Sequence, residues 1–177
     1  AMAQAAAVPG VVGLRMNAPE NIAAARALIR LPIIGIHKAY DADGRVWITP
    51  DFAKARALAE AGADMIALDA TFRSRPKGES VQELIDRIHD HLGLPAMADV
   101  ACFDEGLAAV QAGADLVGTT LAGYTRPSFA DPLDPPDLAL VARLAAVLPV
   151  PVIAEGRYNT PALARQALEA GAYAVVV

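Results

Sequence analysis

The residues best suited to chemistry lie in the run Val152-Ile-Ala-Glu155-Gly156-Arg157-Tyr-Asn-Thr160-Pro161. An apolar, β-branched stretch stops there at a carboxylate, a glycine and an arginine, and Thr160 with Pro161 supplies a helix N-cap and first-turn pair. An acid and a guanidinium at the end of a parallel strand, beside a helix N-terminus, suit an anionic substrate. Other short apolar stretches also close on polar residues. These are Arg15, Lys38, Asp69, Asp99, and Thr119 with Thr120. Any one of them is readily explained as a solvated strand end or a helix cap. A set containing Lys, Glu, Asp and Arg that converges on one mouth is not.

The elements that would position this set repeat. Ala61-Gly62-Ala-Asp leads into Met65–Asp69, Ala112-Gly113-Ala-Asp into Leu116–Thr120, and Ala170-Gly171-Ala-Tyr into Ala174–Val177. Each time an alanine-rich helix ends at a glycine C-cap and a short apolar strand follows. A second kind of strand opens on proline, at Pro32–Ile36, Pro95–Asp99 and Pro151–Glu155, and Val11–Arg15 is a weaker member of the glycine series. Continuous apolarity means burial on both faces, hence a parallel sheet. A doubly wound open sheet would carry a GxGxxG fingerprint after its first strand, and the sequence has none. The reading is therefore an α/β fold, a (β/α)₈ TIM barrel forming one domain over 1–177. The strands present would be the second to the eighth. Ala1–Ala7 reads as the tail of a helix and Val175–Val177 as an interrupted strand, so residues are expected beyond both ends.

In an eight-strand ring the third and seventh strands face each other. Lys38 and Glu155 would then address opposite faces of a substrate, as inversion of a stereocentre next to a carbonyl requires. A lysine base needs its pKa lowered, which Arg15 and burial would supply. Arg157, the Gly156 backbone and a helix N-terminus form the expected anion clamp.

Bulk properties narrow the function. The 177 residues are 55% apolar and 20% charged with a net charge of −5. That composition supports a sizeable core and argues against nucleic acid. No apolar stretch reaches membrane-spanning length. The single Cys102 excludes an intramolecular disulfide and fits a reducing cytoplasm.

Four segments, in this order, carry a resemblance: Pro32-Ile-Ile-Gly-Ile-His-Lys38, Ile66-Ala-Leu-Asp69-Ala-Thr71, Gly118-Thr-Thr-Leu-Ala-Gly-Tyr-Thr125 and Val152–Pro161. Together they resemble the N-acylglucosamine-6-phosphate 2-epimerases, also called N-acetylmannosamine-6-phosphate 2-epimerases, through nearly the whole chain. The resemblance implies a phosphosugar-binding barrel of bacterial sialic acid catabolism. It would invert C2 of a phosphorylated amino sugar without a cofactor or metal. The family's catalytic lysine and glutamate fall on Lys38 and Glu155, and its substrate-contacting positions on Arg15, Asp99 and Arg157. Asp69 and Thr71 match a family motif. A glutamine on the family's first strand and a Gly-Ser loop after its eighth have no counterpart in the chain. Two other functions compete: a class I aldolase with a Schiff base on Lys38, and a catalytically inactive phosphosugar-binding barrel fragment. A homodimer is the expected assembly, because an exposed apolar sheet edge favours association.

Other residues read as structural. His37 should point away from Lys38, toward the helices. His89 and His91, two apart, do not share a helix face. Cys102 lacks a basic neighbour and is not expected to be a nucleophile. Asp41-Ala-Asp43-Gly44 reads as a plain turn, since no glutamate follows at calcium-loop spacing. Arg73, Arg75 and Lys77 read as a solvated loop, and Pro127–Pro136 as a mobile flap.

Overall fold

Fifteen elements follow one another in the computed structural model, which describes residues 10–76, 78–125, 128–131 and 134–177. In chain order they are β1 (Leu14–Asn17), α1 (Pro19–Arg26), β2 (Ile33–Ile36), β3 (Lys38–Tyr40), β4 (Val46–Ile48), α2 (Phe52–Glu60), β5 (Met65–Asp69) and α3 (Val81–Leu92). The series continues with β6 (Ala96–Asp99), α4 (Phe103–Gln111), β7 (Leu116–Gly118), α5 (Leu138–Val147), β8 (Val152–Ala154), α6 (Pro161–Glu169) and β9 (Ala174–Val175). They fall into two compact units. One takes the residues up to Asp69 with Ser74–Ala96, and the other takes Ala70–Arg73 with Met97–Val177.

In the first unit β1, β2 and β5 lie side by side and parallel, with Leu14 opposite Ile33 and Ile34 opposite Met65. Ile22, Ile33, Leu58, Ile66, Leu68, Leu84, Ile85 and Ile88 are fully buried. Each such side chain contributes about 1.5–3 kcal/mol. Gly35 lets α2 and the turn after it close on β2, because a Cβ there would lie 3.3 Å from that of Leu58 and 2.9 Å from that of Ala63. Helix α3 starts at a reciprocal capping box between Ser80 and Glu83 and stops at Gly93 in the left-handed conformation.

In the second unit the order is β6-β7-β8-β9, again parallel. Val141, Ala154, Tyr158, Ala167 and Ala172 form a buried cluster there, with Leu138, Leu163 and Val175 packed against it. The glycine C-caps hold: Gly62, Gly113 and Gly171 have φ of 97°, 95° and 101°. Thr160 caps α6 through the Leu163 amide, with Pro161 in the first turn.

The structure corrects two strand ends. Arg15 does not end its strand; pairing begins only at Leu14, whose amide donates to the Pro32 carbonyl, so Arg15 is second of four residues. Lys38 does not end a parallel strand either. The parallel strand stops at Ile36, and Lys38 opens an antiparallel hairpin, β3–β4, that the sequence reading left out. Its bend is the Asp41–Gly44 turn: one Asp41 carboxylate oxygen accepts from the Asp43 and Arg45 amides and the other from Trp47 Nε1. The helix-tail reading of Ala1–Ala7 lies outside the described residues. So do Lys77 of the loop reading and Pro127, Pro132 and Leu133 of the flap.

Candidate active site

Asp99, Thr119, Thr120 and Glu155 meet in the second unit because β6, β7 and β8 are neighbours and their C-terminal ends coincide. Register places Asp99 against Gly118 and Gly118 against Ile153, so the residues following β7 and β8 emerge together. The two threonines hold Glu155 at different points. Thr119, buried, accepts from the Glu155 amide and donates to its carbonyl, both at 3.1 Å. Thr120 Oγ1 lies 2.9 Å from Glu155 Oε2 and 2.8 Å from Oδ1 of the fully buried Asp99. One residue fixes the main chain of the glutamate and the next fixes its carboxyl group.

Beyond Glu155 the chain turns sharply. Gly156 (φ 101°) and Arg157 (φ 65°) are both left-handed. Glycine adopts that conformation freely, whereas arginine gives up roughly 1–2 kcal/mol. The strain folds Arg157 back over the turn after β7. Its guanidinium nitrogens approach the Ala122 carbonyl (3.4 Å) and the Asp131 carbonyl (3.3 Å), and the group lies 5.8 Å from the Tyr124 ring centre. Buried Nε has no partner among the described residues. Gly123 makes this pose possible, since a Cβ there would come within 2.5 Å of the guanidinium. Both contacts are long hydrogen bonds, so the cation retains donors for an anionic group.

Thr71, also in the second unit, is buried and accepts from Arg73 Nε at 3.1 Å. The Glu105 carboxylate, buried in the first turn of α4, accepts from the Phe72 and Ala101 amides and so ties together the chain after β5 and after β6. Cys102 is the N-cap residue of α4, and burial raises its thiol pKa, in keeping with an inert role. Burial likewise raises the phenol pKa of Tyr158, whose charged neighbours are Asp137 and Arg157.

Arg15, Lys38 and Asp69 belong to the first unit. Arg15 is half-buried in β1. The Lys38 side chain is exposed, not buried as the sequence reading required, while its amide donates to Asn17 Oδ1 at 2.9 Å. His37, just before it, is braced at both main-chain groups: its amide donates to Thr49 Oγ1 and its carbonyl accepts from the Thr49 amide. Thr49 is fully buried with φ 44°. A β-branched residue rarely adopts that conformation, so the brace marks a constrained site. Burial lowers the imidazole pKa of His37, and the charges around it are Lys54, Glu20 and Asp51, on or next to α1 and α2. It therefore faces the helices, as expected.

Arg75 is a correction to the solvated-loop reading. It is buried, and its guanidinium donates to the main-chain carbonyls of Asp69 and Pro50, clamping the end of β5. Asn17, Thr49 and Glu105 were not singled out from sequence. The signal for the first two was present: an Asp-Gly turn flanked by Lys38-Ala-Tyr and Val46-Trp-Ile is a hairpin pattern.

Similarity to known proteins agrees with this arrangement. A family model described as NanE, putative N-acetylmannosamine-6-phosphate epimerase, matches residues 1–177. Two proteins named as putative N-acetylmannosamine-6-phosphate 2-epimerases are each 50% identical over 177 residues and all of this chain. They come from Thermosynechococcus vestitus, of which 76% is covered, and Salmonella typhimurium, of which 75% is covered. The solved N-acetylmannosamine-6-phosphate 2-epimerase of Clostridium perfringens superposes with a TM-score of 0.93 at 41% identity, covering 99% of this chain and 76% of that one. That neighbour is a TIM barrel, so the α/β barrel class read from the strand pattern holds. With a match this long and identities this high, the chain belongs to the NanE epimerase family.

Proposed function

We propose that this protein is an isomerase interconverting N-acetylmannosamine 6-phosphate and N-acetylglucosamine 6-phosphate, acting in amino-sugar catabolism. In the open-chain sugar the C2 proton lies next to the C1 carbonyl, which stabilises the carbanion left on its removal. Inversion then needs a base on one face of C2 and an acid on the other. Lys38 and Glu155 are assigned those roles. Arg157, with the Gly156 amide, receives the phosphate. Arg15, Asp69, Thr71, Asp99, Thr119 and Thr120 complete the substrate surroundings, directly or by holding residues that touch the sugar. A single domain over 1–177 and a homodimeric assembly are part of the proposal.

The observation that carries the reading is Glu155: a glutamate whose main chain is held by one threonine hydroxyl and whose carboxyl group is held by the next, two residues before a cation with donors to spare. Fixed geometry of this kind is what proton transfer to carbon requires. The test is incubation with N-acetylmannosamine 6-phosphate in D₂O, following the C2 proton by NMR. The expected product is N-acetylglucosamine 6-phosphate deuterated at C2. Absence of both product and exchange would overturn the assignment. A borohydride-trapped adduct on Lys38 would point instead to Schiff-base chemistry.

A further inference from the structure

Thr120 Oγ1 has one hydrogen, yet it sits within hydrogen-bond distance of two carboxyl oxygens, Asp99 Oδ1 at 2.8 Å and Glu155 Oε2 at 2.9 Å. An ionised carboxylate accepts only, and a hydroxyl donates once. With both carboxyls ionised, one of the two short contacts would set lone pair against lone pair. Both contacts become hydrogen bonds when a single further proton resides on the pair. One carboxyl group then donates to Oγ1 while Oγ1 donates to the other. The surroundings preserve this bridge. A Cβ at Gly118 would lie 3.0 Å from Asp99 Oδ1 and 3.1 Å from Thr120 Oγ1, and Thr119 holds the Glu155 main chain still.

We propose that Asp99, Thr120 and Glu155 form one acid–base unit carrying a single proton, with Thr120 as the positioning residue that passes it between the carboxyl groups. The inference rests on the epimerase reading above and assigns the hydroxyl a role in it. In the relay step the Asp99 O–H bond breaks and its proton moves to Thr120 Oγ1, while the hydroxyl's own proton moves to Glu155 Oε2. Asp99 becomes the carboxylate, Glu155 becomes neutral and the hydroxyl is intact. Glu155 then delivers the proton to C2. The proton that the base on the other face took from C2 restores the balance through solvent.

The experiment compares wild type, Thr120→Val and Thr120→Ser for kcat, KM and the pH dependence of kcat. General acid–base groups contribute about 10²–10⁴-fold. For loss of the relay alone, Thr120→Val should lower kcat by about tenfold to a hundredfold, change KM by no more than about twofold, and remove one limb of the pH profile. Thr120→Ser should restore both rate and limb. A Thr120→Val enzyme with wild-type kcat and pH profile, or a serine variant that fails to rescue, overturns the proposal. Should the valine variant not fold, Asp99→Asn reads the same limb, because its amide has no transferable proton; an unchanged profile there is equally decisive against the relay. Infrared spectroscopy separates this inference from the parent reading. A protonated-carboxyl band at neutral pH that is altered by Thr120→Val supports the shared proton even if the wild type proves inactive on the sugar, and its absence sinks it.

Discussion

Lys38 and Glu155, the two residues assigned to move the C2 proton, are supported in opposite ways. Around Lys38 only the main chain is fixed. Asn17 takes its amide, Thr49 braces His37 beside it, and the hairpin pins Lys38 opposite Ile48, while the side chain stands exposed. Around Glu155 both the main chain and the carboxyl group are held, by Thr119 and Thr120 respectively. A long cationic side chain can be delivered by a rigid base and still adapt at its tip. A short carboxyl group that must present one oxygen has to be oriented by direct hydrogen bonds.

Removing the lysine amine should have the largest consequence. Lys38→Ala should reduce turnover by at least about 10²-fold while leaving phosphosugar affinity largely intact, because its role is chemical. Steady-state kinetics with a separate binding titration would check this, and near-normal turnover would mean that the exposed lysine is not the base.

The next effect belongs to the anion clamp. Arg157→Ala should chiefly raise KM, by about tenfold to a hundredfold, since a charge-assisted hydrogen bond contributes about 1.5–3 kcal/mol in ground and transition states alike. Gly123→Ala should act in the same direction and more weakly, because the added methyl displaces the guanidinium without removing its charge. If Gly123→Ala lowers kcat at constant KM, Arg157 is holding the reacting geometry and not the phosphate.

The smallest effect concerns the hairpin that carries Lys38. Asp41 has its carboxyl pKa lowered, first by the hydrogen bond from Trp47 and then by the Arg45 amide. A carboxyl group with a depressed folded-state pKa contributes stability that is fully present above its unfolded value, about 3.9, and lost as pH falls through the folded value. Trp47 is the single tryptophan of the chain. Its fluorescence should therefore stay constant on acidification through the ordinary aspartate range and change only below it. Asp41→Asn should abolish that transition; a titration centred at the ordinary value would show that the hydrogen bond does not hold the turn.

How much was legible in the sequence depended on how local the cause was. The glycine C-caps at Gly62, Gly113 and Gly171 and the Thr160-Pro161 helix start were legible, because neighbouring backbone groups decide them. Strand β5 was placed correctly to the residue, bounded by a C-cap on one side and Asp69 on the other. The start of β1 was misplaced because it depends on the Pro32 carbonyl of the next strand. Arg75 was misread for a similar reason: two main-chain carbonyls, one from Pro50 far back in the chain, draw its guanidinium inside. The hairpin was missed because Pro32–Lys38 reads as one continuous apolar strand with a polar end. The break at His37 comes from Thr49, twelve residues away.

The sequence alone determined the α/β class, the alternation of short buried strands with capped helices, and the closure of two of those strands at Asp69 and Asp99. Those features follow from periodicity and from backbone preferences that act within a few residues. What the polar residues at the strand ends do to one another depends on how the strands pack. Thr119 and Thr120, adjacent in sequence, take the main chain and the carboxyl group of Glu155 because β7 lies beside β8, and Asp99 joins them because β6 lies beside β7. Which oxygen meets which hydroxyl is set by parallel register between strands tens of residues apart, and composition or spacing along one strand carries no record of it.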